Sequence, residues 1–365
     1  MFRLVSFLLL IVFAASASAQ TNSKPFRIGV AGLNHGHAGV ILSRAHDGDI
    51  EIVGIAEPDR ILAEQYLKKF NLPMSLWYPT LAEMLDKAKP EAVTGFNSTF
   101  DHLEVVKACA PRKIHVMVEK PLAVSNDHAR QIAALAEQHK IHVLVNYETT
   151  WYGSNTDVSS RFITDHPFGK IRKAVVHDGH QGPKEIHVGP EFLAWLTDPV
   201  KNGGGALMDF GCYGANLLTW LHQGVRPLAV VAVTQQLKPN IYPKVDDEAT
   251  IVLTYPDGQA IIQASWNWPF GRKDMEIYGE TGYVLADKQG SRIRSAQDKP
   301  EEYVKSPELK KPYNDPFVYL AAVVRGEITV GPSDLSSLQN NLIVVEILQA
   351  AKESAQQGKT VYLKK

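Results

Sequence analysis

The stretch Phe26-Arg27-Ile28-Gly29-Val30-Ala31-Gly32-Leu33-Asn34-His35-Gly36-His37 decides the fold. Its first half is an apolar run of strand length. Gly32 closes the run at the point where a backbone turning tightly beside a phosphate needs glycine's freedom, and the free N–H groups of a following helix favour negative charge. The string is an imperfect GxGxxG, with Asn34 in the second glycine position and His37 in the third. Alone it reads either as a dinucleotide loop or as an ordinary tight turn. The next apolar run, residues 50–56, ends at Glu57, 25 residues after Gly32. A carboxylate there can accept hydrogen bonds from the adenosine ribose hydroxyls; a helix-capping acid before Pro58 is the plainer reading. Because a carboxylate repels a ribose phosphate, NAD is expected over NADP, with nearby Arg60 as the residue that keeps NADP open.

Outward from this start the chain alternates short apolar runs with amphipathic segments. Residues 26–31, 50–56, 92–96, 114–118 and 141–145 read as strands; 37–45, 61–70, 81–88, 103–110 and 128–139 read as helical. Strand, helix, strand, helix is the rhythm of a parallel sheet, and near-continuous Val/Ile runs are what a strand buried on both faces requires. After about residue 150 the pattern changes. Residues 249–253 and 260–266 flank the turn Tyr255-Pro256-Asp257-Gly258, and 272–278, 282–286 and 292–294 are further strand candidates. The tail is helical over 315–325. A second tail helix is expected with Ser333 as N-cap, Leu335, Leu338, Leu342, Val345 and Leu348 on one face, and Gly358 as its stop. The fold class is therefore α/β: an N-terminal Rossmann domain over 25–148, then an α+β domain over 149–365 with an open, largely antiparallel mixed sheet and C-terminal helices.

Composition bounds the function. The 365 residues are 45% hydrophobic and 21% charged, and 38 Lys plus Arg balance 39 Asp plus Glu, so no positive field exists to hold nucleic acid and a small neutral ligand is expected. Cys109 and Cys212 form no CxxC, and the 13 histidines include no HExxH, so no metal is expected. Arg3, the apolar run 4–15 and Ala17-Ser18-Ala19 before Gln20 read as a signal peptide, residues 1–19, too short for a durable membrane anchor. Its removal takes away Arg3 and no acid, moving the formal charge from −1 to −2. The mature chain is expected to be periplasmic or secreted and without a stable membrane span.

Two motifs remain. Glu119-Lys120-Pro121 follows the fourth long strand, preceded by Asn97 and Asp101-His102; Gly203-Gly204-Gly205-Ala206-Leu207-Met208-Asp209-Phe210-Gly211-Cys212-Tyr213 turns into a helix. On these the chain, over nearly all of residues 26–363, resembles the glucose-fructose oxidoreductase / inositol dehydrogenase / rhizopine catabolism (Gfo/Idh/MocA) family of NAD(P)-dependent oxidoreductases. The resemblance implies that Lys120 reaches both the substrate hydroxyl and the nicotinamide ribose, that the Lys120-Pro121 bond is cis, and that the open sheet serves a homo-oligomer. Many relatives have histidine where this chain has Tyr213, and tyrosine is found in the glucose-fructose oxidoreductase and dihydrodiol dehydrogenase branches.

Asp209 and Tyr213 are four residues apart, so one helical face can aim both into the cleft. Tyr213 is then the candidate acid/base, Lys120 the cation that lowers its pKa and holds the developing alkoxide, and Asp209 the residue orienting sugar or lysine. Candidate cofactor contacts are Gly32, Asn34, His35, Glu57, Arg60, Asn97, His102, Glu119 and Lys120. Candidate substrate contacts are Asn146, Tyr147, Trp151, Asp209 and Tyr213. The function expected is an exported NAD-dependent oxidoreductase that holds its cofactor tightly and transfers hydride from a secondary hydroxyl of a sugar, polyol or cyclic diol. The alternatives are an NAD-dependent glycoside hydrolase working by transient oxidation and elimination, and a non-catalytic carbohydrate sensor.

Overall fold

The computed structural model describes residues 24–363; the expected signal peptide lies outside them. The first unit runs β1 (Phe26–Ala31), α1 (Ala38–Ser43), β2 (Ile50–Ala56), α2 (Arg60–Lys69), β3 (Trp77–Tyr78), α3 (Leu81–Ala88), β4 (Ala92–Gly95), α4 (His102–Cys109), β5 (His115–Glu119), α5 (Asn126–His139) and β6 (Val143–Asn146). Its six strands are all parallel in the order β3-β2-β1-β4-β5-β6. The order reverses between β1 and β4, and the crevice outside their carboxyl ends is where open α/β sheets bind ligands. Ile28, Val30, Val93, Val116 and Val118 are wholly buried, as strands covered on both faces require. Helix starts are set locally: Asp59 caps α2 through the N–H groups of Ile61 and Leu62, Thr80 caps α3, and Ser125 caps α5.

The second unit contains α6 (Asn155–Ser159), β7 (Lys173–Gly179), α7 (Pro190–Leu196), α8 (Ala206–Asp209), α9 (Gly211–Leu221), β8 (Ala229–Gln235), β9 (Glu248–Thr254), β10 (Gln259–Ser265), β11 (Arg272–Tyr278), β12 (Tyr283–Ala286), β13 (Gly290–Arg294), β14 (Glu302–Lys305), α10 (Pro316–Val324), α11 (Leu338–Gln357) and β15 (Val361–Tyr362). Its nine strands follow the order β14-β13-β12-β11-β7-β10-β9-β8-β15; β7 and β10 pair in parallel and every other pair is antiparallel. Alternation decides the faces. Ala260, Ile262 and Ala264 of β10 and Ala174, Val176 and Asp178 of β7 point to the side packed by α9 and α11, while the opposite face leaves Val231 and Val233 exposed.

Three details depart from the sequence reading. Helix α11 is capped by Ser337, whose Oγ accepts from the N–H of Asn340, because Ser333 and Leu335 belong to the turn before it. The helix expected to carry both Asp209 and Tyr213 is broken at Phe210 into α8 and α9. Helix α10, though beyond residue 149, buries Phe317, Tyr319 and Leu320 in the same core as Phe26, Ile28 and Leu42; the chain returns to the first unit after building most of the second. Among the described residues no helix is long and apolar enough to cross a membrane.

Candidate functional site

The glycine loop is threaded between the ends of three strands. Gly32 has φ +82°, and a Cβ on it would stand 2.9 Å from Cβ of Asn97 and 3.0 Å from the Phe96 carbonyl oxygen, so a side chain fits neither the conformation nor the space. Glu57 is buried at the tip of β2, where Oε2 accepts from the Leu33 N–H at 2.8 Å and Oε1 from the Asp59 N–H at 2.9 Å. Burial raises its pKa against these two bonds. The carboxylate thus shapes the loop itself, and each oxygen retains a lone pair for a further donor. Arg60 does not turn toward it: the side chain is 67% exposed, pairs with Glu64 at 2.8 Å and lies over Trp77. The amide oxygens of Asn34 and Asn97 are buried at this crevice without partners among the described residues. A cradle that excludes a Cβ, two orphaned acceptors and an acid at the tip of β2 fit a dinucleotide.

A chain of side chains crosses the floor of the cleft. Trp151 Nε1 donates to Asn146 Oδ1 at 2.9 Å, Asn146 Nδ2 donates to Glu119 Oε1 at 2.8 Å, and Glu119 Oε2 meets His37 Nδ1 at 3.2 Å. Burial opposes ionisation of Glu119, but His37, His35 and Asn146 outweigh it and hold the carboxyl at about 2. His35 is buried, and desolvation keeps its imidazole well below the usual value. His102 supports the turn, with Nδ1 3.1 Å from the carbonyl of Pro121 and 3.2 Å from that of Leu122, and burial holds it at about 4. Tyr147 is wholly buried with its ring edge against Tyr213, a wall behind the site rather than a surface on it.

The two motifs meet across 89 residues. The Lys120-Pro121 bond is cis, and Lys120 Nζ donates to the Asp209 carbonyl at 2.9 Å and to its Oδ1. Asp209 Oδ2 accepts from Trp266 Nε1 at 2.9 Å. Both side chains are buried; desolvation works against both charges, yet their attraction wins, raising the lysine pKa and lowering that of the aspartate. The triple-glycine turn makes this approach possible, since a Cβ on Gly205 would lie 1.8 Å from the Asp246 carbonyl oxygen and the Asp246 carboxylate takes the N–H groups of Gly205 and Leu207.

Tyr213 corrects the sequence reading. The Lys120 ammonium lies 5.1 Å from the centre of its ring, over the π face rather than at the hydroxyl. Burial first, then the neighbouring Cys212, Glu119, Glu148 and Asp209, push the phenol well above its ordinary range. The surroundings therefore shift the phenol in the direction opposite to the one expected from Lys120.

Three site residues escaped the sequence reading. Lys273 on β11 brings a second ammonium 4.8 Å from the Tyr213 ring and pairs with Glu148. Asp178, opposite it in register on β7, is fully buried with neither carboxyl oxygen partnered among the described residues, and burial drives its pKa well up. His180, just after β7, packs against Phe210 and accepts from the Gly182 N–H through Nδ1 at 3.0 Å; burial lowers its pKa. Only the strand-end position of His180 could have marked it in the sequence, since the other two depend on pairing. Glu148, Tyr152, His180, Arg272 and Lys273 line a pocket of about 520 Å³ whose lining stops short of Lys120. His177 faces the opposite side of the sheet, near Asp274 and Glu276 in a grouping with metal-ligand spacing, but Arg272 already holds Asp274. Cys109 and Cys212 are both free and buried.

Comparison with known proteins agrees with this architecture. Residues 26–147 match the model of an oxidoreductase family with an NAD-binding Rossmann fold, and residues 160–285 match the GFO/IDH/MocA C-terminal domain. The chain is 23% identical over 342 residues to trans-1,2-dihydrobenzene-1,2-diol dehydrogenase of Mus musculus, covering 89% of this chain and 94% of that one. Among solved structures it is similar to aldose-aldose oxidoreductase from Caulobacter crescentus, in complex with glycerol, at TM-score 0.78 and 19% identity, covering 93% of this chain and 100% of the other. An inositol dehydrogenase homolog from Azotobacter vinelandii, in complex with NAD+, also gives TM-score 0.78, at 17% identity over 93% and 98% of the two chains.

Proposed function

The chain belongs to the Gfo/Idh/MocA family of oxidoreductases, and from that premise we propose that it is an exported, NAD-preferring enzyme acting on a secondary hydroxyl of a sugar, polyol or cyclic diol. The observation that carries the reading is the buried Lys120–Asp209 pair at the end of β5. It places a permanent positive charge at the mouth of the Rossmann crevice, where an alkoxide developing on substrate needs it. A bound nicotinamide supplies hydride acceptance and return. Lys120 positions the substrate oxygen and Asp209 holds the lysine charged; Tyr213 gives its phenol proton to the oxygen in the reducing direction and is left as phenolate, and in oxidation that phenolate takes the proton from the substrate hydroxyl. Glu57 supports the preference for NAD, having no cationic partner turned toward it. Export rests on Arg3, the apolar run 4–15 and Ala17-Ser18-Ala19. The open sheet face with exposed Val231 and Val233 suits a homo-oligomer.

Outside the cytoplasm a reaction that returns NAD unchanged has an advantage, which supports the second reading, redox-neutral cleavage of a glycoside. One experiment tests both. The purified mature protein is loaded with NAD and exposed in parallel to aldoses, cyclitols, trans-diols and aryl glycosides, and products are identified together with absorbance at 340 nm. Ketone or lactone with NADH supports the oxidoreductase; released aglycone without net NADH supports the hydrolase; neither product, with NAD bound, refutes both in favour of a sensor.

A further inference from the structure

The excursion from Gly179 to Gly205 leaves the second unit and touches the first on both sides of the switch-point crevice. On the β1 side, Trp195 Nε1 of α7 donates to the Asn34 carbonyl at 2.8 Å. One helical turn back, Phe192 packs against His35 with the rings tilted by 42° and their centres 4.5 Å apart, and faces Gly36, where an added Cβ would meet it at 3.7 Å. On the β4 side, the Lys201 carbonyl accepts from the Phe100 N–H at 2.9 Å. These are the loops that follow β1 and β4. A ligand entering the crevice therefore meets protein from the second unit above the glycine loop as well as the loop itself.

We propose that α7 forms the outer wall of the dinucleotide site, with Phe192 and Trp195 closing over the Asn34–Gly36 backbone and setting the rate at which the cofactor leaves. The two aromatics are spaced i, i+3 so that both face the glycine loop, while Leu196 is buried in the apolar core that the two units share. The rear of the segment is fixed by Asp198, whose Oδ1 accepts from the N–H groups of Val200 and Lys201. Opening the wall exposes two aromatic rings and breaks the Trp195 hydrogen bond. Those losses slow release and, because the same contacts hold the wall closed before cofactor arrives, they slow entry as well. The inference rests on the Rossmann unit binding NAD and deepens it, since the holding residues come from the other unit.

The test is stopped-flow displacement of NADH from the full mature protein by excess NAD, followed by NADH fluorescence. Phe192→Ala/Trp195→Ala is expected to release NADH about tenfold faster or more, with association accelerated as well. Trp195→Phe keeps the ring and loses only the N–H donor, so it is expected to fold and to show a smaller acceleration of about threefold. Hydrogen exchange over residues 187–197 of the wild type is expected to slow when NADH is bound. Equal release from wild type and both variants, or exchange unaltered by NADH, overturns the wall while leaving cofactor binding intact. A wild-type protein that takes up no NADH overturns the dinucleotide reading and the wall together.

Discussion

Replacing Asp209 by asparagine removes the charge that balances Lys120 and leaves the shape almost unchanged. In the wild type both side chains are nearly inaccessible, 7% and 5% exposed, and no other carboxylate hydrogen-bonds the ammonium. Breaking one half of a buried pair costs about 3–5 kcal/mol because the partner stays behind uncompensated. At roughly 2–4 °C per kcal/mol, the second unit is expected to melt about 6–20 °C lower at pH 7. The pH dependence carries the diagnosis. In the wild type, the raised lysine contributes stability that is complete below 10.5 and is lost only as pH rises through its higher folded value. The lowered aspartate contributes stability that is complete above 3.8 and is lost only as pH falls through its folded value. Between them the pair's contribution is flat. In Asp209→Asn burial acts on Lys120 against only the weaker pull of Cys212 and Glu119 and depresses it, so the unfolded chain binds more protons and stability rises as pH climbs from 7 toward 10. Thermal melts at constant ionic strength over pH 5–10 read this directly. An asparagine variant that melts like wild type, or with the same flat profile, refutes the claim that Asp209 is what keeps Lys120 charged.

Tyr213→Phe is expected to leave stability unchanged, because the hydroxyl makes no hydrogen bond among the described residues, and to lower single-turnover reduction of bound NAD by about 100-fold; an unaltered rate and pH profile would assign proton transfer to Lys120 or His180. Glu57→Gln is expected to narrow the NAD over NADP preference in parallel fluorescence titrations, and Glu57→Ala to cost in addition about 1–3 kcal/mol by stranding the N–H groups of Leu33 and Asp59; equal wild-type affinities for the two cofactors would remove the ribose assignment. Mass analysis of the secreted or periplasmic protein is expected to find Gln20 as the first residue; an intact Met1 in a membrane fraction would indicate an anchor.

What the sequence by itself determined is local. Runs such as Ile50–Ala56 carry their own strand periodicity, Asp59 and Ser125 carry their own caps, and Gly32 announces a turn no other residue makes as easily. Glu119-Lys120-Pro121 and Asp209 were legible through the family resemblance, and the triple glycine before Asp209 marks a turn into a helix without it. Tertiary structure alone decided what depends on pairing between distant segments. Lys273 reaches Tyr213 because β11 pairs with β7, α10 fills the first core although it follows the second sheet, and Trp195 finds Asn34 across 161 residues. The tyrosine shows the physical reason most directly. The sequence motifs suggested that Lys120 would lower the tyrosine pKa, but a pKa answers to the whole surrounding volume, and there burial and converging acids outweigh a lysine that sits on the ring face.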